Sequence, residues 1–137
     1  MTFGVLYDFT GNSNVSKVIK AATMVQQQWF LDAVNYDQPI DLFLLIGHNP
    51  VRTTDYANTL GLVHKTIRSL KPTTPIQVFG GHSHIRDFQV YDESSTALES
   101  GNLCPTRSEP KSNIPRTVLR NSRLALNQRN QLNHVHR

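Results

Sequence analysis

The chain of 137 residues has a single cysteine, Cys104, and a single tryptophan. One thiol forms no internal disulfide, and a zinc site of the Cys-x-x-Cys kind is excluded. No apolar run approaches the roughly 20 residues that a membrane-spanning helix requires. The opening "MTFGVLYDFTGNS" lacks a basic region followed by a long enough apolar stretch, so no signal peptide is expected. There is no Walker loop, no Rossmann fingerprint and no serine in a nucleophile elbow. Cys104 has no identified base and follows the last expected strand, which argues against a thiol nucleophile. Apolar residues are also scarce, at 38%. Part of the chain is therefore expected to lie outside a packed core.

Acidic charge is scarce at one end only. Residues 1–106 hold 7 Lys+Arg against 9 Asp+Glu, a net −2, whereas residues 107–137 hold 7 against 1, a net +6. The basic balance belongs to the tail. The tail is rich in Asn, Arg and Ser and poor in apolar residues, a composition expected to be mostly disordered.

What is present upstream reads as alternating strands and helices. "FGVLYDF" (3–9) is a short apolar run closed by the turn cluster "TGNSN". Val18, Ala22, Val25, Trp29 and Ala33 fall on one helical face, with Ser16 or Asn14 as candidate caps. "IDLFLLIGH" (40–48) is almost continuously apolar, as suits a strand of a parallel sheet. Tyr56, Leu60, Val63, Ile67 and Leu70 predict a second helix, capped by Thr53 or Thr54. "PIQVFGG", "RDFQVYD" and "STALESG" read as three further strands, the last two antiparallel to each other. The order β-α-β-α-β-β-β predicts an α/β fold, mainly a parallel sheet with an antiparallel meander at its edge. The expected domains are residues 1–104 and a basic tail, 105–137.

Ligands of such sheets sit beyond the carboxyl ends of the strands. Two of those ends carry histidine: "LLIGHNPV" places His48, and "VFGGHSHI" places His82 and His84. Glycines before each histidine permit close backbone approach. Alternate residues of an extended segment point to the same side, roughly 7 Å apart. That suits two ions about 3.5–4 Å apart better than one, and neutral imidazole binds zinc, iron or manganese. His-x-His also arises by chance. "HVH" at His134–His136 has the same spacing without a strand or a glycine. His64, within the second helix, reads as a half-exposed packing residue.

"DFTGNSN", "WFLDAV", "PIDLFLLIGHNPVR", "VFGGHSHIRDF" and "ALESGNLC" together resemble the calcineurin-like metallophosphoesterase family, and more closely its fungal 5'-nucleotidase-like branch. The resemblance covers residues 3–104 and implies half of that family's α/β sandwich. It implies a hydrolase with two divalent ions (Mn, Zn or Fe) that activate a water against a phosphate ester. The family holds its ions with five blocks, and only the last two, a lone histidine and Gly-His-x-His, have counterparts here. By resemblance His48 and His82 would ligate one metal and His84 the other. "TGNSN" has Ser13 where an earlier block would carry histidine. The bridging aspartate and other carboxylate ligands are missing, and beyond "ESGNLC" the tail resembles nothing in the family. Its abrupt change of composition reads as a frameshift, an unspliced segment or a different exon.

The resulting expectation is a carboxy-terminal half of a metallophosphoesterase domain. Metal binding should be weak and turnover negligible unless a complementing upstream half associates, with Asp8 or Asp87 as the carboxylates that could otherwise complete a site. Halving the sandwich should leave Phe43, Leu45 and Val78 under-covered. One alternative is a non-catalytic fragment or pseudo-enzyme. Another is a weak nucleic-acid binder acting through the tail's charge, disfavoured because the tail lacks stacking aromatics. No compartment can be assigned, although the parent of such a segment could be secreted or vacuolar.

Overall fold

The computed structural model describes residues 1–101. The tail from 102 onward lies outside the described residues, and with it the expected boundary at 104, Cys104, His134 and His136. The elements are β1 (Thr2–Gly4), α1 (Ala21–Met24), α2 (Gln28–Val34), β2 (Phe43–Ile46), α3 (Leu60–Leu70), β3 (Ile76–Gly80), β4 (Arg86–Asp92) and β5 (Ser95–Ser100). No described helix is long and apolar enough to cross a membrane.

The strands form one five-stranded sheet in the order β1-β2-β3-β5-β4. β1, β2, β3 and β5 run parallel, and β4 is the antiparallel edge. The α/β class and the antiparallel edge match the sequence expectation. The edge is not a simple meander, because β5 inserts between β3 and β4 and pairs with both.

The expected first helix is two short ones. Of the stripe Val18–Ala22–Val25–Trp29–Ala33, Val25 is buried and Ala33 packs against the core, but Ala22 is exposed and Trp29 is 55% exposed; the other buried positions are Ala21, Phe30 and Val34. The spacing from Val25 to Phe30 is five residues. Between them, backbone bonds Gln26 N–H to Thr23 O (3.2 Å) and Gln27 N–H to Met24 O (3.0 Å) tighten the chain, and Gln27 turns extended before α2. Three consecutive glutamines supply no apolar anchor to hold one continuous helix in phase. The cap is also remote. Asp8 Oδ1 accepts the Ala21 N–H at 2.8 Å, rather than Asn14 or Ser16.

α3 begins later than the stripe suggests, and Tyr56 lies outside it, 98% exposed. Asp55 Oδ1 accepts the Ala57 N–H (2.9 Å) and Asn58 Oδ1 the Gly61 N–H (2.7 Å). The first bond holds a turn ahead of the helix, and the second reaches an N–H in the first turn of α3. Leu60, Val63 and Ile67 then bury as the periodicity predicts.

The core lies on one face of the sheet. Phe3 and Val5, Phe43 and Leu45, Ile76 and Val78, and Ala97 meet α1–α3 there. Strands β1, β2 and β3 are laid down in one direction, so right-handed crossovers put all three helices on the same side. Phe43, Leu45 and Val78 are fully buried, which overturns the expectation that they would be under-covered. The opposite face is the open one. Ile46 and Phe79 (both 44% exposed) and Val90 (57%) stand there, with half-buried Leu44, Leu98 and Phe88 between them. Successive side chains of a strand point to opposite faces, so the open face belongs to the neighbours of Phe43, Leu45 and Val78.

The amino ends of the strands are tied by Arg68. Its guanidinium donates to Asp92 Oδ2 (2.8 Å) and Oδ1 (3.2 Å), to the hydroxyls of Ser94 (2.9 Å) and Ser95 (2.6 Å), and to the carbonyls of Lys71, Pro72 and Thr74. His64 is buried, not half-exposed as expected, with Nε2 3.0 Å from Asp92 Oδ2 and 2.9 Å from Ser95 Oγ. Burial pushes the Asp92 carboxyl up, but donors from Arg68, Ser94 and Ser95 outweigh it and hold the group at about 2. Burial lowers His64 below its usual range, with Arg68 and Lys65 adding to it against the pull of Asp92.

The signs agree. A depressed carboxyl adds stability that is full above about pH 4 and is lost as pH falls toward 2, and a depressed histidine costs stability as pH falls below about 6.5. Urea melts should therefore show stability declining monotonically from neutral to acid pH. Asp92→Asn should lose about 1–3 kcal/mol at pH 7 and show a flatter decline below about pH 4. An acid profile identical to wild type would contradict this assignment.

Candidate functional site

Two loops leave the sheet side by side. β2 and β3 are adjacent and parallel, with Ile46 opposite Phe79. The ladder continues past both strands through Gly47 N–H to Phe79 O (3.0 Å) and Gly81 N–H to Asn49 O (2.9 Å). Two glycines make this approach possible. A Cβ on Gly47 would run into the Val5 carbonyl oxygen, and one on Gly80 would meet the Asn49 carbonyl oxygen and Val51 Cγ1. Gly81 is different, since a Cβ there would meet nothing within 4 Å. The left-handed backbone falls on the histidines themselves, His82 (φ 80°) and His84 (φ 63°).

Asn49 fixes the first loop from within. It is fully buried. Its Oδ1 accepts the N–H of Thr59 (2.9 Å) and of Leu60 (3.4 Å), while its Nδ2 donates to Thr59 Oγ1 (2.5 Å). A side chain from the β2 loop thus caps α3, satisfying donors that the helix leaves unpaired. Thr53 and Thr54 do not.

The outcome is a pair of rings. His82 Nδ1 lies 3.0 Å from His48 Nε2, with the rings nearly perpendicular. Tyr7 stacks its ring 4.3 Å from that of His82 and donates its N–H to the His48 carbonyl at 3.3 Å. Phe9 meets Tyr7 edge-on. Tyr7 was missed in the sequence. The strand-end reasoning that found the histidines would have found it too, had "LYDF" been followed past the end of β1.

In the metal-free pair, one ring nitrogen donates its proton to the other. Two nitrogens on one zinc-sized ion can stand no more than about 4.2 Å apart, twice the usual Zn–N distance. The 3.0 Å separation therefore fits two ligands of one ion. It does not make a centre by itself. His84 is exposed, and among the described residues no group of three or more His, Cys, Asp or Glu is placed to hold a metal. Asp8 caps α1, and Asp87 pairs with Arg52 at 3.0 Å. Burial raises the Asp87 carboxyl, but bonds from Arg52 and Gln89 outweigh it and keep it low. Neither aspartate is grouped with the histidines among the described residues.

No family model matches the chain. A protein of Arthroderma benhamiae named as a secreted protein is 61% identical over 106 residues, which is 77% of this chain and 16% of that protein. An uncharacterised protein of Schizosaccharomyces pombe is 46% identical over 106 residues, 77% of this chain and 17% of its own length. The crystal structure of a 5'-nucleotidase from Candida albicans superposes with a TM-score of 0.67 at 39% identity, covering 73% of this chain and 18% of that one. The chain thus shares the fold of a segment of a fungal 5'-nucleotidase, and it spans about a sixth of the length of the curated relatives it matches.

The two glycines of "VFGGHSH" should respond oppositely to substitution. Gly80→Ala should destabilise by about 1–3 kcal/mol, because backbone and a buried Val51 must shift. Gly81→Ala should stay within about 0.5 kcal/mol. Chemical denaturation of both variants checks this, and equal losses would contradict the loop packing described.

Proposed function

We propose that this segment supplies histidine ligands to a metal-dependent phosphoester hydrolase, a 5'-nucleotidase or phosphatase of the calcineurin-like kind and its fungal 5'-nucleotidase-like branch. The observation that carries this reading is the 3.0 Å approach of His48 and His82 at the carboxyl ends of neighbouring parallel strands. The likeness to the Candida albicans 5'-nucleotidase supports it. His48 and His82 hold one divalent ion, His84 is reserved for a second, and the ions are manganese, zinc or iron. When bound, such ions activate a water and stabilise the charge that develops on the phosphate oxygens. The residues in hand do the holding: Gly47 and Gly80 let the loops approach, and Tyr7 packs against the His82 ring.

A two-ion centre needs carboxylates to offset the charge of two dications. The proposal assigns these to a complementing segment of a longer polypeptide. The open sheet face at Ile46, Phe79 and Val90 is where that segment would pack, since apolar area of this kind is normally covered. By the name of its Arthroderma relative, that polypeptide is read as secreted. A second reading is a non-catalytic fragment, favoured by one observation: the described residues assemble two nitrogens and no carboxylate at the site.

The purified chain alone should hydrolyse neither p-nitrophenyl phosphate nor AMP above background with manganese, zinc or iron. Addition of a polypeptide covering the part of a full-length relative that precedes the matched segment should give metal-dependent turnover. EDTA should remove that turnover, and His82→Ala should lower it by about 100-fold or more. No turnover in the mixture would favour the non-catalytic reading. Turnover by the chain alone, abolished by His84→Ala, would contradict the need for a complementing segment.

A further inference from the structure

Glu99 is a carboxylate on the helix-covered face of the sheet, only 3% exposed. A carboxylate in such a place needs donors, and no Lys, Arg or His ion-pairs with it among the described residues. Its donors come from the two histidine loops. Oε1 accepts the Ser83 N–H at 2.8 Å and the Ser83 Oγ–H at 2.5 Å, and Oε2 accepts the Val51 N–H at a longer 3.4 Å. Gly80 stands opposite Glu99 in the β3–β5 register and presents no side chain.

Ser83 lies between the two histidines whose backbones are left-handed. For residues other than glycine this conformation is uncommon and persists where the surroundings over-determine it. Ser83 is held on two sides, because its Oγ also accepts the Ile85 N–H at 3.2 Å. The direction of the His82 ring depends on that backbone. The Val51 contact reaches the other loop, three residues beyond His48.

We propose that Glu99 is a positioning residue: a buried carboxylate on β5 that clamps the two histidine loops together and sets His82 Nδ1 against His48 Nε2. It touches neither ring and acts through Ser83 and the backbone of Val51. The importance of the clamp for chemistry rests on the metal-site reading above, but the clamp itself is testable without metal.

The test is NMR on the isotope-labelled full chain, metal-free, near neutral pH. Two quantities are read: the exchange rate of the Ser83 amide and the ring-to-ring NOE between His48 and His82. Glu99→Met removes the acceptors without opening a large cavity. It should speed Ser83 exchange by about tenfold or more and abolish the NOE, while Val78 and Ala97 amides in the neighbouring strands change by less than about threefold. Glu99→Gln keeps one carbonyl acceptor and should restore part of both signals. Should Glu99→Met fail to fold, Glu99→Gln decides, because it too must accelerate Ser83 exchange relative to wild type. An unchanged Ser83 rate and an intact NOE in the folded variants would overturn the proposal. A wild-type chain that takes up no added zinc, with the clamp signals behaving as expected, would instead sink the metal reading alone.

Discussion

The placement of the site depends on one buried residue. Asn49 joins three elements at once. Its carbonyl accepts the Gly81 N–H from the β3 loop, and its carboxamide caps α3 through Thr59 and Leu60. Because it follows His48 directly, that histidine's backbone is fixed from inside the protein while its ring stays exposed. A buried carboxamide must satisfy both its oxygen and its nitrogen, and here the oxygen accepts from the Thr59 and Leu60 amides while the nitrogen donates to the Thr59 hydroxyl. The chain beyond β2 therefore has little freedom, and neither has the β3 loop that docks on it through Gly80.

The two ends of the sheet are built from different materials. At the amino ends, Arg68 makes seven bonds to a carboxylate, two hydroxyls and three carbonyls, and His64 is sealed beneath them. At the carboxyl ends the same type of residue, histidine, stands at the loops, with His82 and His84 in left-handed backbone and the ring of Tyr7 lying between Phe9 and His82. Stabilising contacts thus collect at one pole and ligand-capable nitrogens at the other. This division follows the general placement of sites in parallel sheets.

Much of this was legible in the residues. β3, β4 and β5 begin and end within a residue or so of the runs that predict them, because apolar alternation and turn clusters bracket them closely. His48 and His82 were legible at the strand ends because a glycine precedes each of them, and His84 followed from its spacing to His82. The first helix was not, since the stripe through Trp29 assumed one continuous phase across Gln26–Gln28. Nor was the start of α3, whose cap comes from Asn49, ten residues away in sequence. The open face was misjudged for a physical reason: Phe43 and Phe79 are equally apolar, and only the handedness of the crossovers decides which faces the helices. Asn49, Glu99 and Tyr7 carry polar or mixed character that sequence pattern alone does not tie to a tertiary partner.

The central claim is that His48 and His82 share one ion. X-ray absorption on the full chain loaded with one equivalent of zinc tests it most directly. Two imidazole nitrogens at about 2.0–2.1 Å should be present. His48→Ala and His82→Ala should each remove imidazole scattering and weaken zinc retention, whereas the His134→Ala, His136→Ala double variant should leave the spectrum unchanged. A spectrum indifferent to His48 and His82 but altered by loss of His134 and His136 would place the metal on the tail and contradict the account.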